Sequence, residues 1–159
     1  MKSSGFSLVE LVVTLAVAAI LATIAVPGFT NLIQTNRVVT QTNDLVAALN
    51  LARSEAIKRG VQVNVSPVDS DFAQGWCVHL DNDCTDDDGI IREFPGMRHM
   101  TVTPTLAILS FDGRGAKTTP NNIVTLTIKP YGCASGTKDR MRTLEIQNTG
   151  RVQITTGDC

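Results

Sequence analysis

Aromatic side chains make up only 4% of this 159-residue sequence. That is too few for a platform on which successive bases of a single strand would stack. Neither sign of charge dominates, with 14 Lys+Arg against 15 Asp+Glu and a net charge of −1. A globally basic nucleic-acid binder is therefore excluded, though a local basic patch is not. The 12 Gly and 6 Pro are too few for a collagen-like or low-complexity chain. No internal repeat is present. Gly-x-Ser-x-Gly, a phosphate loop and His-Glu-x-x-His are all missing. The Ser, His and Asp residues show no local spacing that catalysis requires, so an enzyme is not expected. A 43% hydrophobic content excludes wholesale disorder. The length suits one domain plus one accessory element.

What is abundant is one apolar run. Phe6 to Val26 reads FSLVELVVTLAVAAILATIAV, 21 residues with a single charge, Glu10. As a helix rising 1.5 Å per residue it is roughly 31 Å long, the thickness of a bilayer's hydrocarbon. Met1–Gly5 is polar with one Lys, a short basic flank that favours a cytoplasmic N-terminus. Beyond Asn31 the polarity is mixed, so the chain is expected to cross once and place its bulk outside. A cleaved secretory signal is the competing reading. The run is longer than a signal core, and a carboxylate five residues after Gly5 interrupts a stretch that should be purely apolar.

Proline in a helix removes a donor and crowds the preceding turn, so a kink or break is expected at Pro27-Gly28. The helical pattern then resumes. Leu32, Val38, Val39, Leu45, Leu49, Ala52 and Ala56 recur mostly at spacings of three and four. Gln41, Asn43, Asn50, Arg53 and Lys58 form the polar face. Glu55 and Arg59 make a favourable i,i+4 pair, and Gly60 is a suitable stop. One helix over Phe6–Arg59 is expected. The remainder reads as short strands: 61–65, 76–80, 90–94, 100–103, 107–111, 123–128, 143–147 and 152–155, separated by Gly, Pro, Asn and Asp clusters.

The four cysteines are Cys77, Cys84, Cys133 and Cys159. No pair has C-x-x-C spacing, and His79 and His99 do not complete a zinc pattern, so no metal site is expected. An exported domain meets an oxidising compartment, where an even count points to disulfides. Three connectivities are open. The pairing Cys77–Cys84 and Cys133–Cys159 is favoured, since the first pair flanks a hairpin turn and the second brackets the C-terminal segment.

Gly5-Phe6-Ser7-Leu8-Val9-Glu10 closely resembles the type IV pilin signature, a glycine followed by phenylalanine and a glutamate four positions later. The resemblance implies cleavage after Gly5 by a prepilin peptidase, N-methylation of Phe6, and assembly into a helical filament with the N-terminal helices at its core. The chemistry agrees. A carboxylate among aliphatic side chains costs roughly 2.5–3.5 kcal/mol at the centre of a membrane helix. Cleavage would create an amine at Phe6, one helical turn from Glu10. Pairing with the amine of a neighbouring chain would offset that cost and set the axial register.

Leu51-Ala52-Arg53-Ser54-Glu55-Ala56-Ile57-Lys58-Arg59-Gly60, Gly75-Trp76, Phe111-Asp112-Gly113-Arg114-Gly115 and Thr149-Gly150-Arg151-Val152 occur in that order. They resemble the GspH/FimT/FimU group of minor pilins and pseudopilins. With the N-terminal motif, the resemblance runs with gaps from Gly5 to Cys159. It implies an α+β, type IV pilin-like fold: a long N-terminal helix, hydrophobic then amphipathic, packed on an antiparallel β-sheet domain. Residues 1–5 would be the leader, 6–30 the transmembrane and filament-core half of the helix, and 31–159 the exported globular domain. The implied function is that of a minor pilin of a type IV pilus, acting in assembly and initiation near the tip. The alternatives are an H-type pseudopilin of type II secretion and a FimT-like DNA-binding minor pilin for natural transformation. Implied partners are other minor and major pilins or pseudopilins, the prepilin peptidase and the inner membrane. The globular domain would be periplasmic before assembly. No cofactor is implied.

Two loops complete the inventory. Asp81 to Gly89 holds five carboxylates in nine residues, a pattern that can bind calcium. The EF-hand spacing is not met, because the sixth residue is Asp86 or Asp88 where glycine is needed. A solvated acidic hairpin loop is expected instead. Lys138, Arg140, Arg142 and Arg151 lie between the last two cysteines and could grip phosphates of DNA. Gly150-Arg151 lacks the second Arg usual in FimT-like DNA receptors, and Asp139, Glu145 and Asp158 dilute the patch.

Overall fold

In a computed structural model, the structure describes residues 7–81, 83–84, 89–104 and 106–159. Gly5 and Phe6 lie outside them, as do Asp86, Asp87 and Asp88 of the acidic loop. Among the described residues one helix, α1 (Leu8–Arg59), is followed by nine strands. These are β1 (Val63–Pro67), β2 (Gly75–His79), β3 (Ile90–Pro95), β4 (Met100–Thr103), β5 (Leu109–Phe111), β6 (Lys117–Thr119), β7 (Val124–Pro130), β8 (Met141–Ile146) and β9 (Val152–Gly157). A 3-10 turn, Val68–Ser70, follows β1. The chain divides into two compact units at Thr35/Asn36.

The first unit is the N-terminal part of α1. Its first bond runs from Leu11 N to the carbonyl of Ser7. Fourteen large apolar side chains from Leu8 to Ile33 are exposed, Leu8 by 77% and Ile20 by 64%. Three hydroxyls of this unit, those of Thr14, Thr23 and Thr35, bond to backbone carbonyls of the helix itself. Thr14 and Thr23 donate to the carbonyls of Leu11 and Ile20, so neither needs an outside partner. The helix is continuous through Pro27 and Gly28, which excludes a break there.

In the second unit the buried seam of α1 is Val38, Thr42, Leu45, Leu49, Ala52 and Ala56, with Ala48 beside it. The alternating four- and three-residue steps keep one face inward. Two residues expected in this seam are outside it. Leu32 is 55% exposed and Val39 36% exposed, and Thr42 occupies the buried turn between Val38 and Leu45. On the opposite flank Glu55 accepts from Arg59 at 2.7 Å and from Lys58 at 3.4 Å. The Arg59 hydrogen bond is the main reason its carboxyl lies below the usual value.

Two antiparallel sheets complete the unit, ordered β3-β2-β1-β5-β6 and β4-β7-β8-β9. The helix seam shares one apolar cluster with Val63, Val65, Leu109 and Phe111 of the first sheet and Leu126, Ile128, Leu144 and Ile146 of the second. Trp76 stacks on Phe94 at 5.5 Å, and the Arg92 guanidinium lies 5.0 Å from the centroid of the Phe94 ring.

β1 differs from the alternating strand expected at 61–65. It starts at Val63 and is buried along its whole length. Its polar side chains are satisfied internally. Asn64 donates to the carbonyl of Asp81, and Ser66 Oγ lies 2.8 Å from Nε2 of His79. β6 was not legible in the sequence, because its pattern KTT has no apolar alternation. It is built around Lys117, which is 2% exposed. The Lys117 Nζ donates to the carbonyls of Pro120 and Asn122, and burial lowers its pKa.

Candidate functional site

Glu10 lies in the first turn of α1, where the N-terminal end of the helix dipole favours an anion. It is exposed, and it is the only charged residue between Ser7 and Asn36. From Leu8 to Val26 every other side chain is apolar except Thr14 and Thr23, so Glu10 is the one charge in an apolar length.

Cys77 bonds to Cys84 and Cys133 to Cys159, with Cα–Cα distances of 5.8 and 6.0 Å. The donor atoms of Cys77, His79 and Cys84 all lie within 4.8 Å of one another. Both sulfurs belong to the disulfide, so this group presents no thiolate. Burial also pushes the pKa of His79 down.

Three sequence segments that look unrelated meet at the C-terminal end of α1. Arg53 Nε donates to the carbonyl of Gly115 at 3.0 Å. The loop around Gly115 is shaped by Asp112, whose Oδ1 accepts from the backbone N–H of Arg114 and Ala116, both at 2.9 Å. The Ala116 bond is the largest cause of the lowered Asp112 pKa. A Cβ on Gly113 would lie 2.6 Å from the carbonyl carbon of Gly60. A Cβ on Gly150, which has φ 77°, would overlap the Gly115 carbonyl oxygen. Lys117 N then donates to the carbonyl of Asn148, joining β6 of the first sheet to the β8–β9 turn of the second. The junction therefore holds the two sheets and the helix end together.

The four expected phosphate-binding cations are not brought together. In the β8–β9 hairpin Arg142 pairs with Thr156 at the open end, whereas Arg151 lies beyond Ile146↔Val152 in the turn. Five residues at about 3.4 Å each put roughly 17 Å between the two levels. Lys138, Arg140 and Arg142 share the open end with the Cys133–Cys159 disulfide. Arg98, His99, Lys129 and Tyr131 join them, because Met100↔Pro130 and Thr101↔Lys129 place the start of β4 and the end of β7 there. Sequence spacing could not reveal these additions, which come from strand pairing across about 30 residues of chain.

The family model described as Type II transport protein GspH matches residues 41–150. The chain belongs to the GspH family. A second model, the prokaryotic N-terminal methylation motif, matches residues 1–26. The fold is similar to that of the type IV minor pilin FimU of Pseudomonas aeruginosa (strain PAO1). In one crystal form the TM-score is 0.60 at 21% identity, covering 76% of this chain and 89% of that one. In a second form it is 0.54 at 22% identity, covering 73% and 90%. The minor pseudopilin EpsH of the type 2 secretion system of Vibrio cholerae gives 0.49 at 17%, covering 74% and 94%. Comparison with curated proteins gives no match.

As a GspH-family chain, this protein is a type IV pilin-like minor pilin or pseudopilin, a structural class rather than an enzyme class. The methylation motif and the apolar helix fit a membrane-anchored subunit that is processed into a filament. All four GspH-like sequence segments lie in the second unit, and two of them, 111–115 and 149–152, close on the third, 51–60, at the glycine junction. Their order in the sequence thus reflects one tertiary feature.

Proposed function

We propose that this chain is a minor pilin of a type IV pilus that takes part in filament assembly and initiation near the tip. The observation that carries the reading is the exposed apolar length of α1 with its single carboxylate, attached to a globular unit of FimU-like fold. Each large apolar side chain moved out of water is worth about 1.5–3 kcal/mol. Fourteen of them exceed the about 5–15 kcal/mol that stabilises a whole domain, so this surface must be covered. Lipid covers it before assembly, with the N-terminus in the cytoplasm and the globular unit in the periplasm. Neighbouring helices cover it afterwards.

In this mechanism a prepilin peptidase cuts between Gly5 and Phe6, and Phe6 is N-methylated. The new amine of one subunit pairs with Glu10 of another and fixes the axial step. Helix packing supplies cohesion, the charge pair supplies register, and the loops of the two sheets choose the partner pilins. Pro27 and Gly28 allow the helix to bend as the subunit leaves the bilayer. Deleting the gene and counting surface pili tests the reading. Loss of pili is expected, and normal piliation would refute it.

The second reading is an H-type pseudopilin of a type II secretion system, favoured by the description of the matching family model. The same deletion separates the two. A pseudopilin mutant would keep its pili and lose extracellular enzyme release.

A further inference from the structure

The second unit has two distinct ends. The glycine junction closes the end where α1 stops. At the other end α1 enters the unit, and Arg37 Nη1 lies 3.5 Å from Nδ1 of His99 just before β4. That entrance is also the open end of the β8–β9 hairpin. At this end lie Arg98 and Lys138, both exposed, and Lys129, Arg140 and Arg142, all half-buried, with Tyr131 exposed by 82%. The Arg142 Nη1 also donates to the carbonyls of Asp139 and Met141. Among the described residues Asp139 and Asp158 lie at this end, and Asp158 accepts from the backbone N–H of Asp139 at 2.9 Å. This end is cross-linked. Tyr131 N donates to the carbonyl of His99, Cys159 N donates to the carbonyl of Thr137, and the Cys133–Cys159 bond ties the β7–β8 loop to the end of β9. A chain of near-zero net charge thus concentrates a surplus of cations at one end.

We propose that this entrance end docks on anionic lipid headgroups of the membrane in which the subunit waits before assembly, with Arg98, Lys129, Lys138, Arg140 and Arg142 meeting phosphates and Tyr131 lying at the headgroup level. The inference rests on the membrane-anchor reading of α1. Connectivity supports it. Ile33, the last exposed large apolar residue of the anchor, precedes Arg37 by four residues. That tether is about 6 Å as helix and at most about 14 Å extended, so Arg37, at the entrance itself, stays within that distance of the last apolar residue of the anchor. Basic residues beside a membrane segment are drawn to anionic leaflets, and tyrosine concentrates at the interface. A DNA duplex is the competing polyanion. It favours a basic stripe that tracks its backbone, and Arg151 is about 17 Å away at the far end of the hairpin.

The test uses the full chain in vesicles of phosphatidylcholine alone, or of phosphatidylcholine and phosphatidylglycerol in equal parts. Hydrogen exchange is read over residues 98–99 and 129–142, and flotation reports insertion. The expected result is exchange slowed at least fivefold in the anionic vesicles only, with the slowing lost at molar salt, where the screening length falls to about 3 Å. Each cation near an anionic surface is worth about a fivefold change in affinity. The double variant Arg98→Gln, Lys138→Gln should therefore lose the fivefold slowing, while Arg151→Gln keeps it. Flotation with identical exchange in both vesicle types overturns the proposal and leaves the anchor reading intact. Failure to float in either overturns both. Protection of the same residues by a DNA duplex added to the phosphatidylcholine vesicles, with none from phosphatidylglycerol, assigns the patch to nucleic acid and overturns the lipid assignment.

Discussion

Arg53 and Gly115, 62 residues apart in the chain, are joined by a 3.0 Å hydrogen bond from the guanidinium Nε to the backbone carbonyl. This bond ties the helix to the loop before β6 at the point where Gly150 also closes in. Gly60 and Gly150 both have positive φ, but only Gly150 is crowded. Gly60→Ala should therefore cost about 1 kcal/mol, from backbone strain alone. Gly150→Ala should cost about 2–4 kcal/mol, because strain and overlap with the Gly115 carbonyl add. Urea unfolding of the two variants checks the ranking, and equal midpoints would contradict the junction.

Glu10→Ala should leave membrane insertion intact and lower incorporation into filaments by tenfold or more. Removing one partner of a buried ion pair costs about 3–5 kcal/mol. Co-expression with wild type and quantification in sheared filaments measures it. Equal incorporation of the two forms would rule out a register role.

The two disulfides should differ in worth. Cys133–Cys159 spans 26 residues and Cys77–Cys84 spans seven. The chain-entropy model gives about 3.5 and about 2.5 kcal/mol respectively. Replacing each pair by serine and comparing unfolding midpoints tests this order. Loss of the first pair should also loosen the loop from Tyr131 to Arg140.

His79 should make stability depend on pH near neutrality. Burial lowers its pKa in the folded state below the ordinary 6.5. The unfolded chain then binds more protons, so stability is complete above pH about 6.5 and falls as pH drops towards the folded value. Glu55 and Asp112 also have lowered pKa values, but their contributions fade only in the carboxylate range. Unfolding free energies at pH 7.5 and 5.5 should differ in the wild type and differ less in His79→Gln. The same drop in both would place its cause elsewhere.

What the sequence determined by itself was whatever repeats locally. The apolar run with Glu10, the three-and-four spacing from Leu45 to Ala56, and the strands with alternating or β-branched residues were all legible, because each depends on neighbours within a turn or a pleat. Tertiary structure alone decided the rest. It chose Thr42 over Val39 for the seam, built β6 around a buried Lys117, and gathered Arg53, Gly113, Gly115 and Gly150 into one junction. It also sent Arg151 to one end of the hairpin and Arg142 to the other, while drawing in Arg98 and Lys129 from distant strands. The physical reason is that strand order and register are set by burying two sheets and one helix face together. That is a property of long-range packing, which no local window of sequence contains.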